Sequence, residues 1–171
     1  ISVPADMATV IPTQWIKLAA DGGRVYLGHR ANTMSGMPEY AILRYEESSD
    51  SSLILRRFSD QPGDNFGAAA GRLFFSRTDT ANGHEPWTSD GTAEGTRLLA
   101  NLAVEPTESG SNPSAFFTHE GRLYFSATDG VAGQELWRSD GTANGTELVA
   151  DVMPGQFGSE PSRLFAAGGS L

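Results

Sequence analysis

Cysteine is absent from the 171 residues, which excludes disulfides, thiolate zinc sites, iron–sulfur clusters and a cysteine nucleophile. Lysine is nearly absent too: Lys17 is the only one, and arginine supplies the rest of the 12 basic residues against 21 acidic ones. The resulting net charge of -9 repels phosphate backbones and anionic lipid, so nucleic-acid binding is disfavoured. Apolar runs stop at three or four residues, as in Tyr40-Ala41-Ile42-Leu43, far short of the ~20 that span a bilayer. No membrane insertion is expected. The opening Ile1-Ser2-Val3-Pro4-Ala5-Asp6 has neither a basic start nor an apolar core, so it does not read as a signal peptide. Catalytic signatures are missing as well: there is no HExxH, GxSxG, P-loop or dinucleotide-binding glycine pattern.

What the chain does have is glycine, 20 of them, and a repeat. Residues 71–102 and 121–152 align without gaps, and 19 positions are identical by direct count. A Gly-Ser-x-Pro-Ser element recurs at Gly110-Ser111-Asn112-Pro113-Ser114 and at Gly158-Ser159-Glu160-Pro161-Ser162. A fainter copy opens at Gly23-Arg24-Val25-Tyr26-Leu27, and Gly169-Ser170-Leu171 matches the start of another. The period is about 50 residues.

Each period reads as four short strands. In the third they are expected over residues 113–119, 122–128, 134–139 and 146–152, separated by glycine-containing turns that accept positive φ cheaply. No segment keeps a 3.6-residue apolar period long enough for a helix. Leu73-Phe74-Phe75 and Leu123-Tyr124-Phe125 place bulky side chains on both faces of a strand, so each sheet needs a cover on both sides. Four-stranded sheets stacked around an axis meet that need. The expected fold is all-β and β-propeller-like, with about three blades plus the first strand of a fourth. The expected division is 1–12 as an N-terminal strand or extension, 13–66 as a degenerate first blade, 67–110 and 111–158 as the second and third, and 159–171 as the opening of an incomplete fourth. The remainder marks the chain as a piece of a longer protein, or as a subunit completed by another copy.

The segment Gln134-Glu135-Leu136-Trp137-Arg138-Ser139-Asp140-Gly141-Thr142 resembles the ELWxxDGT repeat family of bacterial proteins. His84-Glu85-Pro86-Trp87-Thr88-Ser89-Asp90-Gly91-Thr92 matches the same pattern with proline in place of leucine. The resemblance covers residues 71–165 closely and 13–66 faintly. It implies a propeller-like fold and a secreted, periplasmic or cell-surface location; it implies no single activity.

Several residues carry a bland and a functional reading side by side. Trp87 and Trp137 are wedges between sheets or sugar-stacking platforms. Asp90-Gly91-Thr92 and Asp140-Gly141-Thr142 are structural turns or, with their carboxylates, calcium-binding loops. Asp79 with Glu85, and Asp129 with Glu135, bracket loops of equal length and are the best cation candidates; as structural groups they would cap turns and pair with Arg72 and Arg122. No cofactor is required by anything in the sequence, and calcium is the one metal with a case. His84 is matched by Gln134 and His119 by Ala167, and His29 lies in the degenerate first copy, so the three histidines read as surface residues. The copies disagree most over residues 32–37, 80–82, 103–109 and 130–132. Ligand contacts are therefore expected from Asn32, Ser35, Asn82, His84, Glu105 and Glu108. The function this favours is a non-enzymatic binding or scaffold module that meets a glycan or protein ligand. The alternatives are a subunit docking on partner proteins and a hydrolase acting on a glycoside or ester.

Overall fold

The computed structural model describes residues 11–21, 23–32, 38–58, 63, 65–103 and 110–166. Among these there are twelve strands and no helix. The first sheet comprises β1 (Ile11–Asp21), β2 (Arg24–Asn32), β3 (Pro38–Glu46) and β4 (Ser51–Phe58). The second comprises β5 (Phe66–Ala69), β6 (Arg72–Asp79), β7 (Gly83–Ser89) and β8 (Arg97–Leu98). β9 (Ser114–His119), β10 (Arg122–Ala127), β11 (Glu135–Ser139) and β12 (Thr146–Ala150) form the third. Every sheet is an antiparallel meander in chain order, so three consecutive stretches of sequence make three separate blades.

The blades stack as the double-sided strands require. Leu73 and Phe75 turn toward the first sheet, where they share a core with Tyr26, Ile42, Leu55, Phe58 and Trp87. Phe74, between them, points the other way and joins Leu99, Leu123, Phe125 and Trp137 under the third sheet. All three side chains of this run are fully buried, each contributing about 1.5–3 kcal/mol of transfer free energy. The leading strand β5 lies against both β1 and β9, so the first strands line the inside of the stack and β4, β8 and β12 its outside. The fold is all-β and propeller-like.

The degenerate first blade obeys the same register. Leu27 pairs with Leu43 as Phe75 pairs with Trp87, so Leu43 stands where the later blades carry tryptophan. β8 is two residues long where β12 has five, and Pro86 explains the difference. It occupies the position of Leu136, which pairs with Ala150, but has no N–H to give the outer strand. Residues 161–166, which carry the sequence of a fourth opening strand, pair with no strand among the described residues.

A meander puts its connections at two ends. One end carries the tight turns β1–β2 and β3–β4 with their equivalents; the other carries β2–β3, its equivalents and the chain entering each blade. The first and second blades are bonded directly at the tight-turn end. The Tyr26 hydroxyl donates to the Gly71 carbonyl at 3.3 Å, the Gly71 N–H to Asp21 at 2.6 Å, and Arg44 Nη1 to the Gly91 carbonyl at 2.6 Å. At the far end, Asn65 Nδ2 donates to the Pro113 carbonyl at 3.3 Å.

Candidate functional site

Glu85 and Glu135 are fully buried at the start of the third strand of their blades, where an unpaired carboxylate would be costly. Both are paired by the Gly-Ser-x-Pro element that leads into the next blade. Glu85 accepts the Ser111 N–H at 3.0 Å, the Ser111 hydroxyl at 2.5 Å and the Leu102 N–H at 3.2 Å. Glu135 accepts the Ser159 N–H at 2.8 Å, the Ser159 hydroxyl at 2.5 Å, and the N–H groups of Val152 and Met153. The backbone seals the same joint. Gly110 forms a parallel bridge with His84 and Gly158 with Gln134, and the next-but-one N–H, from Asn112 or Glu160, donates to the His84 or Gln134 carbonyl. The two clasps are duplicates, and they tie each blade to the entry of the following one.

The duplicates differ in their surroundings. Burial between the second and third sheets pushes the Glu85 carboxyl above its ordinary value, against the hydrogen bonds from Ser111, Leu102 and Ala103. Burial also raises that of Glu135, but no described sheet covers it, and the donors from Ser159, Met153 and Val152 together bring it below. A raised carboxyl supports the fold below its ordinary value and loses that support as pH rises through the folded value. A lowered one supports the fold above its ordinary value and loses that support as pH falls through the folded value. Glu85→Gln and Glu135→Gln are therefore expected to change stability with opposite pH slopes across the carboxylate range. Denaturant titrations at a series of pH values check this; parallel slopes would contradict it.

The Asp-Gly-Thr segments form self-contained turns. Asp90 Oδ1 accepts the Thr92 N–H at 3.0 Å and its hydroxyl at 2.7 Å, while Thr92 Oγ1 accepts the Gly95 N–H at 2.9 Å. Ser89 and Thr96 hydroxyls meet at 2.7 Å beneath the turn. Asp140, Thr142, Gly145, Ser139 and Thr146 repeat the network, with distances of 2.9, 2.7, 3.0 and 2.8 Å. The hydroxyl donors of Thr92 and Thr142 hold both aspartates below the usual carboxylate range. Gly91 and Gly141 take φ of 90° and 92° and lie against Arg44 and Arg72 of the preceding sheets, so a side chain would press tightly on Arg44 at Gly91 and force Arg72 to shift at Gly141.

The other paired carboxylates do separate jobs. Asp79 accepts the N–H groups of Ala81 and Asn82 at 2.8 Å, and Asn82 Nδ2 lies 3.0 Å from each of its carboxylate oxygens; Asp129 accepts the N–H groups of Val131 and Ala132 at 2.8 Å. These are capped loops, while Glu85 and Glu135 serve the clasps. The expected pairing with Arg72 and Arg122 gives way to a different one: Asp79 meets Arg77 at 3.8 Å, and Arg72 is placed against Gly141. Among the described residues no three His, Asp or Glu side chains gather as a metal site would need.

Trp87 and Trp137 are wedges. Trp87 packs against Phe58 and Phe75, with the Arg77 guanidinium 4.8 Å from its ring centre; its indole N–H has no partner among the described residues. The Trp137 indole donates to the Ala127 carbonyl at 3.0 Å. Relative exposures of 6% and 8% leave neither ring a face for a stacked sugar.

Of the ligand candidates, Ser35, Glu105 and Glu108 lie outside the described residues, as does the side chain of Asn32. Asn82 is engaged by Asp79 and by Asn101, while His84 is half-buried beside Gly63. Asn82 and His84 lie at the end of the stack opposite the tight turns, in the β6–β7 connection and at the start of β7. The same end holds a cleft of about 420 Å³ lined by Ser114, Ala115, Ser126, Gln134, Glu160, Pro161 and Ser162. Gln134, aligned with His84, there accepts the Ser126 hydroxyl at 3.0 Å and reaches the Asn112 carbonyl.

No family model matches the chain, and no curated protein matches it. A solved structure with a similar backbone is Trypanosoma rangeli sialidase in complex with the inhibitor DANA, at 12% identity and a TM-score of 0.43. The likeness covers 81% of this chain and 26% of the sialidase chain, so the chain spans about a quarter of that relative's length.

Proposed function

We propose that this chain is a non-enzymatic binding or scaffold module of a secreted or cell-surface bacterial protein, meeting a glycan or protein ligand with one end of its blades. The observation behind this reading is the asymmetry of the two ends. At the tight-turn end the Asp-Gly-Thr network of one blade is repeated in the next almost to the tenth of an ångström. At the opposite end the copies diverge, with Thr80-Ala81-Asn82 against Gly130-Val131-Ala132 on an unchanged Asp cap. A scaffold that holds its frame constant and varies one set of loops is built as recognition surfaces are. The resemblance of residues 71–165 to ELWxxDGT repeats supports the exported location.

The test is a glycan array together with pull-down from cell-envelope fractions, using the chain and a variant whose residues 80–82 are replaced by Gly-Val-Ala. The variant keeps the Asp79 cap and is expected to fold normally while losing at least tenfold in affinity for the ligand found. Unchanged binding would remove the loop end from the reading. Turnover of a glycoside or ester, abolished by one carboxylate substitution, would replace it with the hydrolase alternative.

A further inference from the structure

The outer face of the third sheet repeats the chemistry with which the earlier sheets hold their neighbours. Leu99 is 2% exposed because the third sheet covers it; its counterpart Val149 is 40% exposed, and Val152, the counterpart of half-buried Leu102, is 67% exposed. Phe74 is fully buried, and its counterpart Tyr124 is not. The polar groups match the first sheet more closely still. Tyr124 pairs across the sheet with Arg138 as Tyr26 pairs with Arg44. In the first sheet those two side chains donate to the next sheet's turn carbonyls, Tyr26 to Gly71 and Arg44 to Gly91. In the third, Arg138 lies half-exposed against Glu147, its Nε 2.7 Å from the carboxylate. Arg44 likewise has a carboxylate beside it, Glu46 at 3.2 Å on its own strand, while it reaches across to Gly91.

We propose that the outer face of β9–β12 is a socket for a further four-stranded sheet of the same repeat. Its Gly-x-Leu turn carbonyl accepts the Tyr124 hydroxyl, and its Asp-Gly-Thr glycine carbonyl accepts Arg138. The apolar layer over Val149 and Val152 comes from the incoming sheet's leucine, phenylalanine and tryptophan, as Leu123, Phe125 and Trp137 cover Leu99 in this chain. A sheet lacking those two turns leaves the polar pair unmatched, which sets this occupant apart from an arbitrary apolar partner.

The experiment extends the full chain after Leu171 with a second copy of residues 124–158, which continues Gly169-Ser170-Leu171 in the register of Gly121-Arg122-Leu123. Amide hydrogen exchange over residues 146–152 is expected to slow at least tenfold relative to the unextended chain. Tyr124→Phe and Val149→Glu should each reverse much of that protection in the extended chain, and Tyr124→Phe should leave the unextended chain unchanged. An added segment that stays unprotected on a folded parent would overturn the proposal. So would protection that survives Val149→Glu. Concentration-dependent dimerisation of the unextended chain that buries Val149 would assign the face to a second copy instead, and would overturn it equally.

Discussion

Glu85→Ala is expected to lower the unfolding free energy by about 3–5 kcal/mol, a large share of the about 5–15 kcal/mol that holds a typical domain folded. The substitution removes little apolar contact. Its effect comes from the donors it strands: the Ser111 N–H and hydroxyl and the Leu102 N–H, all converging on one carboxylate. A stranded buried donor costs about 1–3 kcal/mol, and alanine offers none of the three a replacement. Glu85→Gln retains one carbonyl oxygen while turning an NH2 group toward donors, so a smaller loss of about 1–3 kcal/mol is expected. Equilibrium denaturation in urea measures both, and an alanine loss under about 1 kcal/mol would show that Ser111 finds other acceptors.

The second large effect is expected at Gly110. Its φ is 63°, and a Cβ there would run into the backbone N, C and O of His84 in the neighbouring strand. A flexible side chain could give way; a strand backbone held in its own ladder cannot. Left-handed strain of about 1–3 kcal/mol then adds to overpacking of about 1–3 kcal/mol, so Gly110→Ala should cost about 3–5 kcal/mol. Gly130 supplies the control. Its φ is 88° but a Cβ would meet nothing within 4 Å, so Gly130→Ala should show the conformational strain alone, about 1–2 kcal/mol. Equal losses at the two positions would mean that the clasp tolerates a side chain.

These two residues also mark how far the sequence could be read. The four-strand period, the two-sided burial of Leu73-Phe74-Phe75 and the Asp-Gly-Thr turns were legible because each depends on residues close together in the chain. The first blade was legible more faintly, since Leu43 in place of tryptophan erases the motif but not the strand register. The clasp was not. Glu85 and Ser111 both recur, yet they are 26 residues apart, and nothing local says that a buried carboxylate closes on a serine in the entry to the next blade. The paired spacing of Asp79 with Glu85 was open to a shared cation or to capped turns, and neither reading points to Ser111. The missed signal was the joint recurrence: each glutamate is followed by the serine of a Gly-Ser-x-Pro, 26 residues on from Glu85 and 24 from Glu135. β8 is shorter than β12 because one missing N–H, at Pro86, shortens its ladder.

The position of the clasp has a thermodynamic consequence. A sheet is complete at its fourth strand, but its buried glutamate is satisfied only when the first residues of the next repeat are seated. The cooperative unit is therefore displaced forward from the visible blade by the length of one Gly-Ser-x-Pro. In a nearest-neighbour description of such an array, these displaced residues carry part of the coupling energy between units, beside the apolar layers that adjacent sheets share. Detaching residues 158–162 would then loosen the third blade before any of its own strands had separated, and unzipping would proceed from that side, one glutamate at a time.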